Sequence, residues 1–318
     1  MTIDITEVFC FIDDFCKIFE PILNKKLLGD GLVRRIRKGF MSLSEIMTIL
    51  VMFHLSKMKT FKDFYFRFLK PFLKPYFPKL LSYNRFVELM PKTALAFATL
   101  FTVTCGDCNG ISFIDSMPLK VCHNKRISRH KVFEGVSGRG KSSMGWFFGL
   151  KLHAVINTNG EFLDIMISSG NVHDNNGLKP LSRKVKGLLF GDKGYISKEL
   201  REWLEKHRDL KLLTRVRRNM KPLEMTSTEE SLLKKRFLIE TVFGKLQEDT
   251  EIDHTRHRSP RNFLVNLLSA LVTYNQFLKK PELYLLATTT GRKAPNLLRF
   301  FCSQEATCNK RSEKFEQD

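Results

Sequence analysis

Apolar residues recur at intervals of three and four along the first hundred positions, from VFCFIDDF at Val8 to FATLFTV at Phe97, with few turn signals before PFLKPYFP. That period keeps one face of a helix apolar, so a series of short α-helices is expected here. Ser42 followed by Glu45 makes a capping-box pattern ahead of IMTILVMFHL, Ser82 is placed to cap NRFVELM, and the basic run RRIRK at 34–38 leads into one of the helices. The texture changes at Gly110. ISFID (111–115) is short and largely apolar, and WFFGLKLHAVI (146–156) and FLDIMIS (162–168) flank the turn-like NTNG as an antiparallel hairpin. HDNNGLKPLSRKV predicts a helix entered at His173 and Asp174, LLFGD (188–192) a fourth strand, SKELREWLEKH a helix capped by Ser197, and KLLTRV a fifth strand. TEESLLKKRFLIETVFGKLQ predicts one long final helix.

The resulting order, β-β-β-α-β-α-β-α, is an α/β (α+β) arrangement: a mixed five-stranded sheet with helices against it. It divides the chain into a helical region at 1–107, a sheet-bearing region at 108–285 and a polar, basic tail at 286–318 to which no fold is assigned.

Composition narrows the partners. The chain has 318 residues, 43% of them hydrophobic, enough for a proper core, while 53 Lys+Arg against 33 Asp+Glu give a formal charge of +20 and a pI near 9.7. Such a balance favours a polyanion, and nucleic acid before a membrane surface, because the most apolar segment, FLVNLLSALVTYNQFL, is broken by Asn266, Ser269, Thr273 and Asn275. The N-terminal MTIDITEVFCFIDDF carries acids where a signal peptide needs a basic head, so a cytoplasmic, nucleoid-associated protein is expected. The basic helical region then reads either as a helix-turn-helix-like DNA-binding module or as a bundle with a solvated basic face. Seven cysteines, an odd number, read as reduced thiols. Cys105 and Cys108 form a CxxC near Cys122 and His123, but without a second CxxC, buried thiols are the plainer reading than zinc.

The carboxylates carry the chemistry. Asp115 and Asp192 both end apolar runs, where an unpaired charge is costly without a partner or a metal. Other acids have ordinary explanations: Asp164 lies within a strand pattern, Asp174 is placed to cap a helix, and Glu199, Glu202 and Glu205 punctuate a helix beside basic residues. Glu240 stands four after Arg236, on the same helical face, with Gln247 seven beyond it. Two Asp and one Glu suffice to hold two hard divalent ions for phosphoryl transfer without histidine or cysteine.

Around these acids the sequence resembles known transposases. The spacing is similar to the Tyr-x2-Arg-x3-Glu-x6-Lys signature of insertion-sequence transposases with a ribonuclease H-like catalytic domain. Arg236 and Glu240 match it, while Leu233 stands in the Tyr position and Gln247 in the Lys position. FIDSMPLKVCHN, RGKSSMGWFFGLKLH, GDKGYIS, RFLIETVFGKL and HTRHRS, in that order, resemble the blocks of insertion-sequence family nine-eighty-two over nearly the whole chain. The resemblance implies a DDE transposase with a ribonuclease H-like sheet and a helical N-terminal DNA-binding domain. It further implies Asp115, Asp192 and Glu240 as catalytic and metal-binding residues for two Mg²⁺ or Mn²⁺ ions, and a homodimer bridging the element ends. Double-stranded DNA, as terminal inverted repeats and as target, is the expected partner. The alternatives are a nuclease on the same fold and a DNA-binding repressor or inactive relic.

GVSGRGKS at 135–142 satisfies the pattern of a phosphate-cradling P-loop, but a working P-loop follows a buried strand and opens a helix, whereas aromatic strand-like sequence follows here. It reads instead as a flexible basic loop that, with Arg126, Arg129, Lys131, Arg139 and Lys141, holds DNA phosphates near Asp115. HTRHRSPRN adds His254, Arg256, His257, Arg258 and Arg261, with Arg256 and Arg258 as phosphate contacts, and Arg236 takes a supporting role beside Glu240.

Overall fold

The computed structural model describes residues 4–32, 34–35, 39–142, 145–215, 220, 223–253 and 257–283. The C-terminal tail, His254, Arg256 and most of RRIRK lie outside them.

The N-terminal pattern folds as read, into α1 (Ile5–Gly29), α2 (Leu43–Leu55), a short α3 (Phe61–Asp63) that runs into a π-helical segment (Phe64–Leu73), α4 (Tyr83–Leu89) and α5 (Ala94–Thr104). The capping box at α2 is formed in full: the Glu45 N–H donates to Ser42 Oγ at 3.1 Å and the Ser42 N–H to Glu45 Oε2 at 2.6 Å. Ser82 holds the N-cap position of α4 but makes no side-chain capping bond. Every residue from Ile46 to His54 of α2 is buried.

Among the described residues the sheet has six strands, one more than the sequence pattern predicts: β1 (Ile111–Cys122), β2 (Gly138–Ser142), β3 (Gly145–Asn157), β4 (Phe162–Ser169), β5 (Gly187–Gly191) and β6 (Leu210–Thr214). β1, β3 and β4 form an antiparallel meander, β5 joins the other edge of β1 in parallel and β6 continues parallel to β5, while β2 pairs antiparallel with the first residues of β3. The extra strand is the segment expected to be a flexible loop. A side chain at Gly140 would collide with the Gly170 carbonyl and the Phe147 ring, so the close approach of neighbours demands glycine and erases the apolar alternation that marks a strand.

Two predicted helices are broken. The segment after His173 forms a 3₁₀ turn (Asp174–Gly177), a single turn α6 (Leu178–Leu181) and another 3₁₀ turn, and Pro180 accounts for its shortness. α7 (Lys198–Arg208) is intact, with Ser197 Oγ accepting from the Leu200 N–H. The long final helix divides into α8 (Ser227–Lys234) and α9 (Phe237–Thr250) at Lys235 and Arg236, and the apolar segment beyond forms α10 (Pro260–Phe277).

The sheet is covered on both faces. One face packs with α6 and α7 through Ile114, Val155, Leu178, Leu189 and Leu204. The other face shares a continuous core with α9, α10 and the N-terminal helices, through Phe113, Phe190, Val242, Leu271, Phe97 and Leu50. Within it, fully buried His54 of α2 donates from Nδ1 to the Thr250 carbonyl at the end of α9 (3.0 Å) and pairs through Nε2 with Ser269 Oγ of α10 (2.9 Å). Burial holds its pKa down to about 4, so it is neutral.

Candidate active site

The register of two adjacent strands brings the two aspartates together. Phe113 of β1 lies opposite Phe190 of β5 in a parallel pair, so Asp115 and Asp192, each two residues further on, come side by side: Asp192 just past the carboxyl end of β5, and Asp115 inside β1, which does not end with its apolar run but continues to Cys122 beside β3. Neighbouring strands are about 4.8 Å apart. Because side chains alternate, both acids share the face of the stacked Phe113 and Phe190 rings, the face covered by α9, the helix that carries Glu240.

All three carboxylates converge on the guanidinium of Arg236. Nη1 donates to Asp115 Oδ2 at 2.8 Å, and Nη2 lies 2.5 Å from Glu240 Oε1 and 3.9 Å from Asp192 Oδ1. Arg236 sits at the N-cap of α9 and Glu240 follows one turn later, at the i,i+4 spacing that puts both on one face. The Arg236 side chain is 18% exposed, that of Asp115 21%, and those of Asp192 and Glu240 about half.

Electrostatics separate the acids. Burial pushes the Asp115 carboxyl up to about 6 and the Asp192 charge adds to the rise, against the lowering effects of the Ser116 N–H, which donates to it at 2.8 Å, and of Arg236. Desolvation works against the Arg236 charge, yet the acids prevail and its pKa lies above the ordinary value. Three carboxylates around a single cation leave an excess of negative charge, and their hard oxygens suit a divalent ion. Among the described residues, no three His, Cys, Asp or Glu side chains are already drawn into a metal-holding cluster.

Two signature positions are occupied differently. Leu233, in the Tyr position, is buried in the core, and Gln247, in the Lys position, donates to Asp253 Oδ2 at 2.7 Å. The glycines beside Asp192 do not serve a left-handed turn: neither Gly191 nor Gly194 has positive φ. Gly191 instead leaves room for Ile114 and Tyr195, each 3.2 Å from where a Cβ would stand.

The predicted basic residues form a separate surface. Arg126 and Arg129 lie on an exposed 3₁₀ helix (Asn124–Arg129), Lys131 follows it, and Arg139 and Lys141 are exposed on β2. They do not adjoin Asp115 as expected, because β1 continues past Asp115 to Cys122, seven residues or up to about 23 Å. Arg258 is exposed just before α10.

Several residues here escaped the sequence pattern. Exposed Trp146 lies 5.3 Å from the Arg139 guanidinium and 5.8 Å from Lys141 Nζ, measured to its ring centroid. Asp174 caps no helix with its side chain; it accepts from Ser116 Oγ and Lys151 Nζ behind Asp115. Its spacing from its partners, 58 and 23 residues, gave no local signal. Cys105 is part-buried, with desolvation pushing its thiol up to about 12, and Cys108 Sγ bonds the Lys186 backbone.

A mixed sheet in this order, with one acid within a strand, a second just past the end of the parallel strand beside it and a third on a covering helix, is compatible with the ribonuclease H-like class. Residues 105–260 match the family model described as transposase DDE domain, and this supports a transposase. Domains of this family generally depend on divalent metal. No curated protein matches the chain.

Proposed function

We propose that the chain is the transposase of a bacterial insertion sequence, of the kind it resembles in family nine-eighty-two. In this reading, water attacks a phosphodiester at the element end and the freed 3′-hydroxyl then attacks target DNA. The observation that carries it is the convergence on Arg236 of Asp115 within β1, Asp192 just past the in-register end of β5, and Glu240 of α9.

Two Mg²⁺ or Mn²⁺ ions, held by Asp115, Asp192 and Glu240, would supply the positive charge that stabilises the attacking and leaving oxygens. The protein's own groups do the rest. Arg236 offsets part of the charge of the acids and, in this reading, contacts the scissile phosphate. Arg126, Arg129, Lys131, Arg139 and Lys141 form the surface that grips the duplex backbone, with Arg256 and Arg258 as further phosphate contacts. Residues 1–107 contribute DNA binding, 108–285 the catalytic sheet, and a cytoplasmic homodimer bridges the element ends.

Asp192→Asn tests this directly: strand cleavage in Mg²⁺ is lost, while binding to the element ends persists. Full cleavage by this variant sinks the proposal. Products joined to target DNA from pre-nicked ends separate a transposase from a nuclease on the same fold.

A further inference from the structure

Behind Asp115 and Asp192 lies a polar cluster that the three-acid site leaves unused. Asp174 Oδ1 accepts from Ser116 Oγ at 2.9 Å and from Lys151 Nζ at 3.0 Å, and Lys151 also donates to the Val172 carbonyl at 3.0 Å. Fully buried His153 places Nδ1 3.8 Å from the same carboxylate oxygen, while its Nε2 pairs with Ser168 Oγ at 2.8 Å. Burial lowers the His153 pKa, so the cation facing Asp174 is Lys151.

This cluster touches both aspartates of the site through their neighbours in the chain. Ser116 immediately follows Asp115. The 3₁₀ turn that begins with Asp174 packs against the turn Lys193–Tyr195, which immediately follows Asp192, and a Cβ at Gly194 would stand 3.4 Å from Asp174 Oδ2. Tyr195 closes the gap. It is 1% exposed, and burial, with Asp115, Asp174 and Asp192 close by, pushes its pKa well above the ordinary value, so a neutral hydroxyl lies among the three acids.

A lysine 13% exposed, paired with one carboxylate, is a poor way to gain stability, because desolvation offsets most of the attraction and an apolar pair would fill the space at less cost. What the pair supplies is direction. Two donors converging on one oxygen fix the rotamer of Asp174, and Asp174 in turn holds β1 at Ser116 against the turn after β5.

We propose that Asp174 is a positioning residue: clamped by Lys151, it ties Ser116 to the Gly194 turn and so sets the separation of Asp115 and Asp192 at which they hold a divalent cation. This rests on the reading of those acids as the metal site. Asp174 acts through them and is not itself a ligand.

The test is Mn²⁺ binding by the full chain without DNA, followed by the electron paramagnetic resonance of free Mn²⁺, in wild type, Asp174→Asn and the double variant Asp174→Asn/Lys151→Met. Both variants are expected to bind Mn²⁺ roughly 10- to 100-fold more weakly, with affinity for element-end DNA unchanged. The double variant, which leaves no unpaired lysine, is expected to recover the wild-type melting temperature and not the Mn²⁺ affinity. Recovery of both would mean that Asp174 only balances the Lys151 charge and would overturn the proposal. If the single variant fails to fold, the double variant decides the matter together with Ser116→Ala, which cuts only the link to β1 and is expected to weaken Mn²⁺ in the same direction. Failure of the metal-site reading is a different result: wild type then binds no Mn²⁺, or Asp192→Asn binds it as tightly as wild type.

Discussion

Replacing Asp115 by Asn removes a group whose charge the fold opposes, and the structure sets both sign and size of the effect. Burial raises the Asp115 carboxyl from the ordinary 3.8 to about 6. Between those values the folded protein holds a proton that the unfolded chain has lost, so wild-type stability falls as pH rises from about 4 through about 6. A rise of this size corresponds to about 3 kcal/mol at most. The amide in the variant cannot titrate, and its lost bond from Arg236 is a constant offset that cancels when one variant is followed across pH. Urea unfolding of wild type and Asp115→Asn from pH 4 to 7.5 is therefore expected to show the variant gaining on wild type by up to about 3 kcal/mol, complete slightly above pH 6. A divalent ion at pH 7.5 should then restore wild type by about 2.7 kcal/mol at a hundredfold excess over its dissociation constant, and leave the variant unmoved. A flat difference refutes the desolvation of Asp115. A slope of opposite sign means that attraction to Arg236 outweighs burial.

Arg236→Met leaves three carboxylates facing one another. At pH 7.5 without metal the expected loss is of the order of 3 kcal/mol, and a smaller one at pH 5, where Asp115 carries a proton; denaturant unfolding at the two pH values checks this. His54, held neutral with a pKa near 4, contributes stability that is present above its unfolded value of about 6.5 and lost as pH falls through about 4. His54→Gln is expected to flatten that acid limb by up to about 3 kcal/mol in pH-dependent unfolding, and an unchanged limb would place the titration elsewhere.

The two aspartates stood out in the sequence because each ended an apolar run, a conflict that local pattern displays, whereas Glu240 stood out only by its spacing from Arg236. Their convergence was less legible: nothing in LLFGD says that it lies beside ISFID in register, and that pairing is decided by the whole sheet. The break at Lys235 and Arg236 was invisible because LLKKRFLIE keeps helical periodicity straight through it. β2 was missed because glycine, chosen for close approach to Phe147 and Gly170, carries no hydrophobic signal. Asp174 was misread for the opposite reason. Its position after His173 fits a helix cap, and only the folded chain brings Ser116 and Lys151 to it.

The recognised segment and the folding unit have different limits. The family match starts at Cys105, where α5 has ended, and stops at Pro260, where α10 begins. Yet α2, α5 and α10 complete the core over the face from which the acids project, and His54 grips the last residue of the helix that carries Glu240. A fragment trimmed to the match would present that face to water. The likeness to a known family covers about half the chain, whereas the core is shared by helices on both sides of it, so substitutions far outside the recognisable part are expected to be felt at the acids.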